Sequence, residues 1–247
     1  MRVQLTVAYD GTNYHGWQLQ PNGITIESVL NQALFDLLGE TITVTGASRT
    51  DAGVHSLGNL AVFDTNTRIP AEKLSYALNQ RLPEDVVVQE SKEVPQDFHP
   101  RRCASRKTYE YRILNRKFPD PTRRRNTYFY HYGLDVQKMK EAAQYLVGEH
   151  DFKSFCSIHT SAETTVRTIY GIEVKQEGDL ILIRVTGSGF LYHMVRIIAG
   201  TLILAGNGQI APEHVQEILK KKDRSAAGPT APALGLTMIG IEMEDVF

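Results

Sequence analysis

The apolar residues of this chain change their spacing in a set order, and that order leaves few folds open. Val3, Leu5, Val7 and Tyr9 alternate with Gln4, Thr6 and Ala8, as in a strand with one buried face, and Asp10-Gly11 supplies a turn. Ile26, Val29, Leu30, Ala33, Leu34, Leu37 and Leu38 then recur at helical spacing. Thr25 is placed to cap the first turn of that helix, and Gly39 to end it in a left-handed conformation. Strands are expected over about 41–46 and 58–64. A second helix runs from Pro70 to about Arg81, and a strand from Val86 to Gln89 follows the Pro83-Glu84-Asp85 turn. The order is β-α-β-β-α-β.

From about residue 103 the same order returns more loosely. Tyr109, Tyr111 and Ile113 alternate with Glu110 and Arg112, Val136 to Val147 has helical spacing, and strands are expected near 165–176 and 179–186. Phe190 to Ala205 reads as an apolar helix, Ala211 to Lys221 as a surface helix, and Leu236 to Glu242 as a closing strand, with 223–235 a loop. The expected fold is α+β. Two similar β-α-β-β-α-β units of the ferredoxin or RRM kind, residues 1–102 and 103–247, build a mixed, mainly antiparallel sheet with helices on one face. Sheets of that kind often meet RNA, but a fold alone fixes no function.

Composition enters where it excludes. A chain of 247 residues, 42% hydrophobic and 22% charged, has material for real cores. Its start, MRVQ, runs into a strand pattern with no apolar leader, and the longest apolar run, Met194–Ala205, is interrupted by Arg196 and is short for a bilayer. The reading is a cytoplasmic protein without a membrane segment. The two cysteines, Cys103 and Cys156, form no CxxC, and no histidines are paired at i, i+4, so neither a disulfide nor a metal site is expected. Gly187-Ser188-Gly189 fails the dinucleotide pattern, because Tyr192 stands where its third glycine belongs.

Charge is unevenly placed. Arg101 to Arg125 holds ten basic residues against Glu110 and Asp120, so this segment carries +8 while the whole chain carries −1. One basic face on a near-neutral protein fits reversible binding of a polyanion such as RNA, and a solvated charged strand and loop is the plainer reading.

Between two apolar runs lies ASRTDAGVHS, Ala47 to Ser56, with a single acid, Asp51. Ser, Thr and Asp cap turns through their own backbones and Gly53 permits positive φ, so a polar turn explains the stretch as well as a reactive carboxylate does. Arg196 inside MVRIIAG is either a snorkelling side chain or the partner of a carboxylate. Tyr109 and Tyr111 fit a core-facing strand.

SRTDAGVHS is very similar to the catalytic-aspartate motif GRTDAGVHA of the TruA-type tRNA pseudouridine synthases. YDGTNYHGWQLQ, LNQRLPEDVVV, DFHPRRCASRKTYEYRI, LVGEHDFKSF and GFLYHMVRIIAGTL resemble the family's other segments in the same order, so the likeness spans nearly the whole chain. Ser48 and Ser56 replace the usual glycine and alanine. The resemblance implies isomerisation of uridine to pseudouridine in the anticodon stem-loop of tRNA, at positions 38, 39 and 40, without a cofactor, by a homodimer that binds tRNA.

It also implies roles for single residues. Asp51 acts at the ribose, either by attacking C1′ or by removing the C2′ proton to form a glycal. Arg196 is the guanidinium that keeps it ionised. Tyr109 lies against the target base, and Arg49 takes the place of the uridine when it swings out of the stem. With Arg49 and Tyr109, the residues taken as contacting RNA are His55, Arg106, Lys107 and Trp17. A non-catalytic RNA-binding module or tRNA chaperone is the alternative, weakened by the absence of an RNP1-like aromatic run. An aspartate-dependent hydrolase would need a second carboxylate or a metal cluster near Asp51.

Overall fold

The computed structural model describes residues 1–243, which divide into two compact units. The first holds Met1–Ser105 together with the described residues from Met238 onward, and the second holds Arg106–Thr237. In the first unit the chain forms β1 (Arg2–Tyr9), α1 (Ile26–Leu38), β2 (Thr45–Gly46), β3 (His55–Asp64), α2 (Leu74–Asn79) and β4 (Val86–Val94). The second unit contributes β5 (Ser105–Asn115), β6 (Tyr128–Tyr130), α3 (Val136–Gln144), β7 (Gly148–Asp151), β8 (Val166–Glu177), β9 (Leu180–Gly187), α4 (Met194–Gly206) and α5 (His214–Lys221). The closing strand is β10 (Leu236–Met243). The protein is α+β with mainly antiparallel sheet, and among the described residues no helix is long and apolar enough to cross a membrane.

In the first unit β1 is central, antiparallel to β3 on one side and to β4 on the other, with β10 beyond β3. The period-two pattern of β1 explains the layering. Val3, Leu5, Val7 and Tyr9 face α1 and α2 and form one core with Ile26, Leu30, Leu34, Leu74, Leu78, Val86 and Val88. Burying each large aliphatic side chain contributes roughly 1.5–3 kcal/mol, which is what holds a helix of 13 residues to the sheet. Local chemistry sets the ends of α1. Thr25 Oγ1 accepts the Ser28 N–H (3.2 Å) and Ser28 Oγ accepts the Thr25 N–H (3.0 Å), while Gly39 closes the helix at φ 69°.

In the second unit the sheet runs β5-β9-β8-β7, all antiparallel, and β6 lies parallel along β5. Gly206 fits beneath Met139 of α3, where a Cβ would come within 2.8 Å of its Cγ. Gly200 meets the Pro229 carbonyl, at 1.9 Å from any Cβ, so the loop expected at 223–235 lies directly on α4. That loop holds two short 3-10 turns, Arg224–Ala226 and Ala233–Gly235.

Several boundaries differ from expectation. The strand over 41–46 reduces to Thr45–Gly46, because the Val44 N–H is taken by Asn31 Oδ1 (3.0 Å). The helix from Pro70 opens as a 3-10 turn and ends at Asn79. The apolar helix starts at Met194 rather than Phe190, because His193 adopts a left-handed backbone (φ 64°).

Candidate functional site

Asp51 lies in the loop between β2 and β3, half-buried in a segment fixed through its backbone. On the approach, Ala47 N–H donates to Leu60 O (2.7 Å). Buried Asn59 then grips Ser48 from both sides, its Nδ2 donating to the Ser48 carbonyl (2.9 Å) and its Oδ1 accepting the Ser48 N–H (3.3 Å). Thr50 is held in the interior by Tyr9 (Oγ1 to hydroxyl, 2.8 Å) and its carbonyl accepts the Trp17 N–H (3.1 Å). Beyond Asp51, Gly53 at φ 78° donates to Tyr14 O (3.2 Å), and Val54 N–H closes the turn on Asp51 O (3.1 Å). Bonds on both sides of Asp51 fix the backbone that carries its carboxylate.

The chain from Tyr9 to Trp17 is the bed beneath this loop. Gly11 approaches Val54 so closely that a Cβ would sit 2.0 Å from the Val54 carbonyl oxygen. Gly16 combines φ 83° with a Cβ position 2.5 Å from Thr50 O. Tyr14 is anchored by a short hydrogen bond from its hydroxyl to Asp85 Oδ1, and the Asp10 N–H donates to the Asp85 carbonyl (2.9 Å). Burial, then the Asp85 hydrogen bond and charge, push the Tyr14 hydroxyl well above the ordinary phenol range, so it remains a donor.

His55 is buried, and two groups meet at its Nδ1: the Gly11 N–H at 3.1 Å and Asp10 Oδ1 at 3.0 Å. Both contacts tie the ring to the turn that follows β1, where Asp10 Oδ1 also accepts from Thr12 N (3.0 Å).

Other residues expected at the site have separate positions. Trp17 is 1% exposed and packs on Tyr9 (ring centroids 6.0 Å apart) and against Gly46, so its ring is a core group and its backbone serves the loop. His55 likewise supports the loop from within. Arg49 is exposed, two residues before Asp51.

In the second unit, Tyr109 lies on β5 opposite Val185, 6% exposed, with Phe190 edge-on to its ring at 5.2 Å. Tyr111 is fully buried, its hydroxyl donating to Pro232 O (2.9 Å), which fits the core role its spacing suggests. Arg196 is in the first turn of α4. Its Nε donates to Ala231 O (2.8 Å) and its own carbonyl accepts the Ala231 N–H (3.1 Å), a reciprocal clamp that fixes the root of the guanidinium. Arg106 lies over the Tyr170 ring at 4.7 Å, and Lys107 pairs along the backbone with Gly187. Among the described residues no cluster of three His, Cys, Asp or Glu side chains could hold a metal ion.

The supports were not assigned by the sequence reading: Asn59, Tyr14 with Asp85, and the contact role of Gly11 and Gly16. The glycines stand inside YDGTNYHGW, and two glycines flanking aromatic residues are a visible signal of close backbone approach.

Comparison with known proteins bears directly on this arrangement. A sequence model of the family described as tRNA pseudouridine synthase matches residues 5–101 and 142–242. The tRNA pseudouridine synthase A of Thermoanaerobacter pseudethanolicus is 51% identical over 239 residues, 97% of this chain and 98% of that protein. The protein of the same name from Bacillus subtilis is 46% identical over 238 residues, 96% of each.

Proposed function

The chain belongs to the tRNA pseudouridine synthase family and is an isomerase that makes pseudouridine in tRNA; from that premise we propose that it acts in the anticodon stem-loop with Asp51 as the catalytic carboxylate. The observation that carries the reading is the mooring of the 47–54 loop: Asn59 on Ser48, Tyr9 on Thr50 and Tyr14 on Gly53 immobilise the backbone around a half-buried acid.

The chemistry required of that acid is specific. The N1–C1′ glycosidic bond of uridine breaks, the uracil turns over, C5 bonds to C1′, C5 loses its proton and N1 gains one. Asp51 assists by adding to C1′ or by taking the C2′ proton, and both need a fixed, ionised oxygen beside the ribose. The roles left by the family pattern go to Arg196, as counter-charge for the carboxylate, and to Tyr109, beside the base. The clamp from Arg196 Nε to Ala231 O supports the first by fixing where the guanidinium begins. The face-edge contact with Phe190 supports the second by orienting the Tyr109 ring. Arg49, exposed on the loop, is the group assigned to fill the stem when the base leaves it, offsetting part of the few kcal/mol of lost stacking. Trp17 and His55 are assigned to the support of the loop.

Incubating unmodified tRNA with the protein and mapping pseudouridine by carbodiimide chemistry tests this. Asp51→Asn is expected to abolish product while leaving tRNA binding in place. Product formed at the parental rate removes Asp51 from the mechanism, and product outside the anticodon arm removes the site assignment. The family likeness also supports a cytoplasmic homodimer, whose mass sedimentation equilibrium reads directly.

A further inference from the structure

Arg101 is held in an unusual way for a surface arginine. It lies in the connection between β4 and β5, where Arg102 N–H donates to His99 O (3.0 Å) and Phe98 is buried against Val62 and Val94. Its own Nε donates to the carbonyl of Gly46 at 2.7 Å. Gly46 is the residue from which the chain enters the Asp51 loop, and its backbone is held in β2 by pairing with Ala61 of β3. One edge of the guanidinium is thereby fixed on a rigid carbonyl. Its two terminal nitrogens take part in no hydrogen bond or ion pair among the described residues, and the residue is exposed.

Arg49 is the neighbouring charge. Its backbone sits between Ser48, gripped by Asn59, and Thr50, gripped by Tyr9, while its side chain is exposed and forms no salt bridge among the described residues. Burial first and the repulsion of Arg49 second lower the affinity of Arg101 for its proton. Glu27, the acid that counters this, acts more weakly than either and spends Oε2 on the Leu19 N–H (2.9 Å). Two like charges on fixed mounts, with no carboxylate bound to either, are a costly arrangement in the free protein. An arriving anion relieves it.

We propose that Arg101 forms a phosphodiester seat that grips the backbone of the RNA strand beside the Asp51 loop, with the charge of Arg49 alongside it. This rests on the reading that the chain acts on tRNA, and it adds a ligand group and a residue, Arg101, to that reading. Arg101 supplies two parallel N–H donors from a fixed guanidinium, and the nearby charge of Arg49 raises the positive potential that draws an anion there. The seat carries no sequence information; it sets the register of the strand so that the nucleoside to be modified meets Asp51.

The test is the salt dependence of tRNA binding by the full chain, with unmodified tRNA as the probe. Each phosphate contact contributes a slope of roughly 0.7–0.9 in log affinity against log salt. Arg101→Gln is expected to lower that slope by about one contact and to weaken binding roughly three- to tenfold at moderate salt. Arg101→Lys, which keeps the charge and loses the planar Nε contact, is expected to retain the slope. Arg81→Gln, just beyond the end of α2, is the control and leaves it unchanged. If Arg101 serves only as a strut for Gly46, both the Lys and Gln variants lose melting temperature and neither changes the slope, which overturns the proposal. Should Arg101→Gln fold poorly, Arg101→Met, which keeps the aliphatic stem and removes the charge, carries the same reading of the slope, and an unchanged slope there also overturns it. The outcomes separate from those of the enzyme assay: a parent that binds tRNA through this seat but makes no pseudouridine refutes the function, whereas a parent that makes pseudouridine while Arg101→Gln keeps the full slope refutes the seat alone.

Discussion

Gly11 carries no functional group, yet the Asp51 loop depends on it. The Cβ of an alanine there would lie 2.0 Å from the carbonyl oxygen of Val54 and 2.6 Å from its carbon, and both are backbone atoms that cannot swing aside. Gly11→Ala is therefore expected to displace the loop, with an overpacking cost of about 1–3 kcal/mol seen by thermal melting. A shift on the order of 1 Å costs a positioned catalytic group roughly 10²-fold in rate. Single-turnover pseudouridine formation should fall by that order, and a parental rate would show that the loop does not rely on this contact. The loop that carries Asp51 was legible because the residues that mark it are contiguous. The bed under it was not: Tyr9, Gly11 and Tyr14 meet Thr50, Val54 and Gly53 across some forty residues of chain, and no local period encodes such a meeting. For Trp17 the sequence left two readings open, an RNA contact and a core residue, and the packing of Tyr9 and Gly46 around its ring supports the second.

At the level of elements, alternation along β5 explains both its faces. Tyr109, Tyr111 and Ile113 point to one side, and Glu110 points to the other, 3% exposed between two arginines. Arg112 Nε donates to its Oε1 (2.8 Å), and Arg184 of β9, its partner in the ladder, donates to Oε2 through Nη2 (2.7 Å). Burial raises the carboxyl pKa, but the hydrogen bonds and charges of the two arginines together outweigh it, and the net result lies below the ordinary 4.5. A depressed carboxylate pKa gives stability that is fully present above the unfolded value and is lost as pH falls through the folded one. Melting temperature should thus drop on acidification below about pH 4.5, and Glu110→Gln should flatten that drop while costing about 1.5–3 kcal/mol at neutral pH. An unchanged acid limb in the variant would show that Glu110 does not govern it. The long elements were readable because their periods are long. β6 and β7, of three and four residues, were not, being too short to show any period, and β6 owes its existence to pairing with β5. The start of α4 was misread for a different reason, since helical spacing continues through Phe190 while His193 breaks the backbone.

For the molecule as a whole, the basic segment is less free than its count implies. Ten positive residues lie between Arg101 and Arg125. Arg112 is committed to Glu110, Arg116 lies 3.3 Å from Asp179, and Arg123 lies 3.6 Å from Asp120. The ion pairs at Arg116 and Arg123 are exposed, worth little to stability, and readily exchanged for phosphate. Arg112 is different, because releasing it strips a buried carboxylate of a hydrogen bond. Within one charged run, then, the structure separates residues that hold the fold from residues available to a polyanion, a division invisible to a count of charges. Arg124 belongs to the second group: it is exposed and, among the described residues, its side chain bonds only the carbonyl of Pro121 (3.1 Å). Arg124→Gln is expected to raise KM for tRNA several-fold with kcat and melting temperature unchanged, and to shave the salt slope by up to one contact. Arg112→Gln is expected to do the opposite, lowering the melting temperature by several degrees with little effect on the slope. Finding the two variants interchangeable, both altering binding or both altering stability, would mean that the segment acts as one diffuse field instead of a set of distinct contacts.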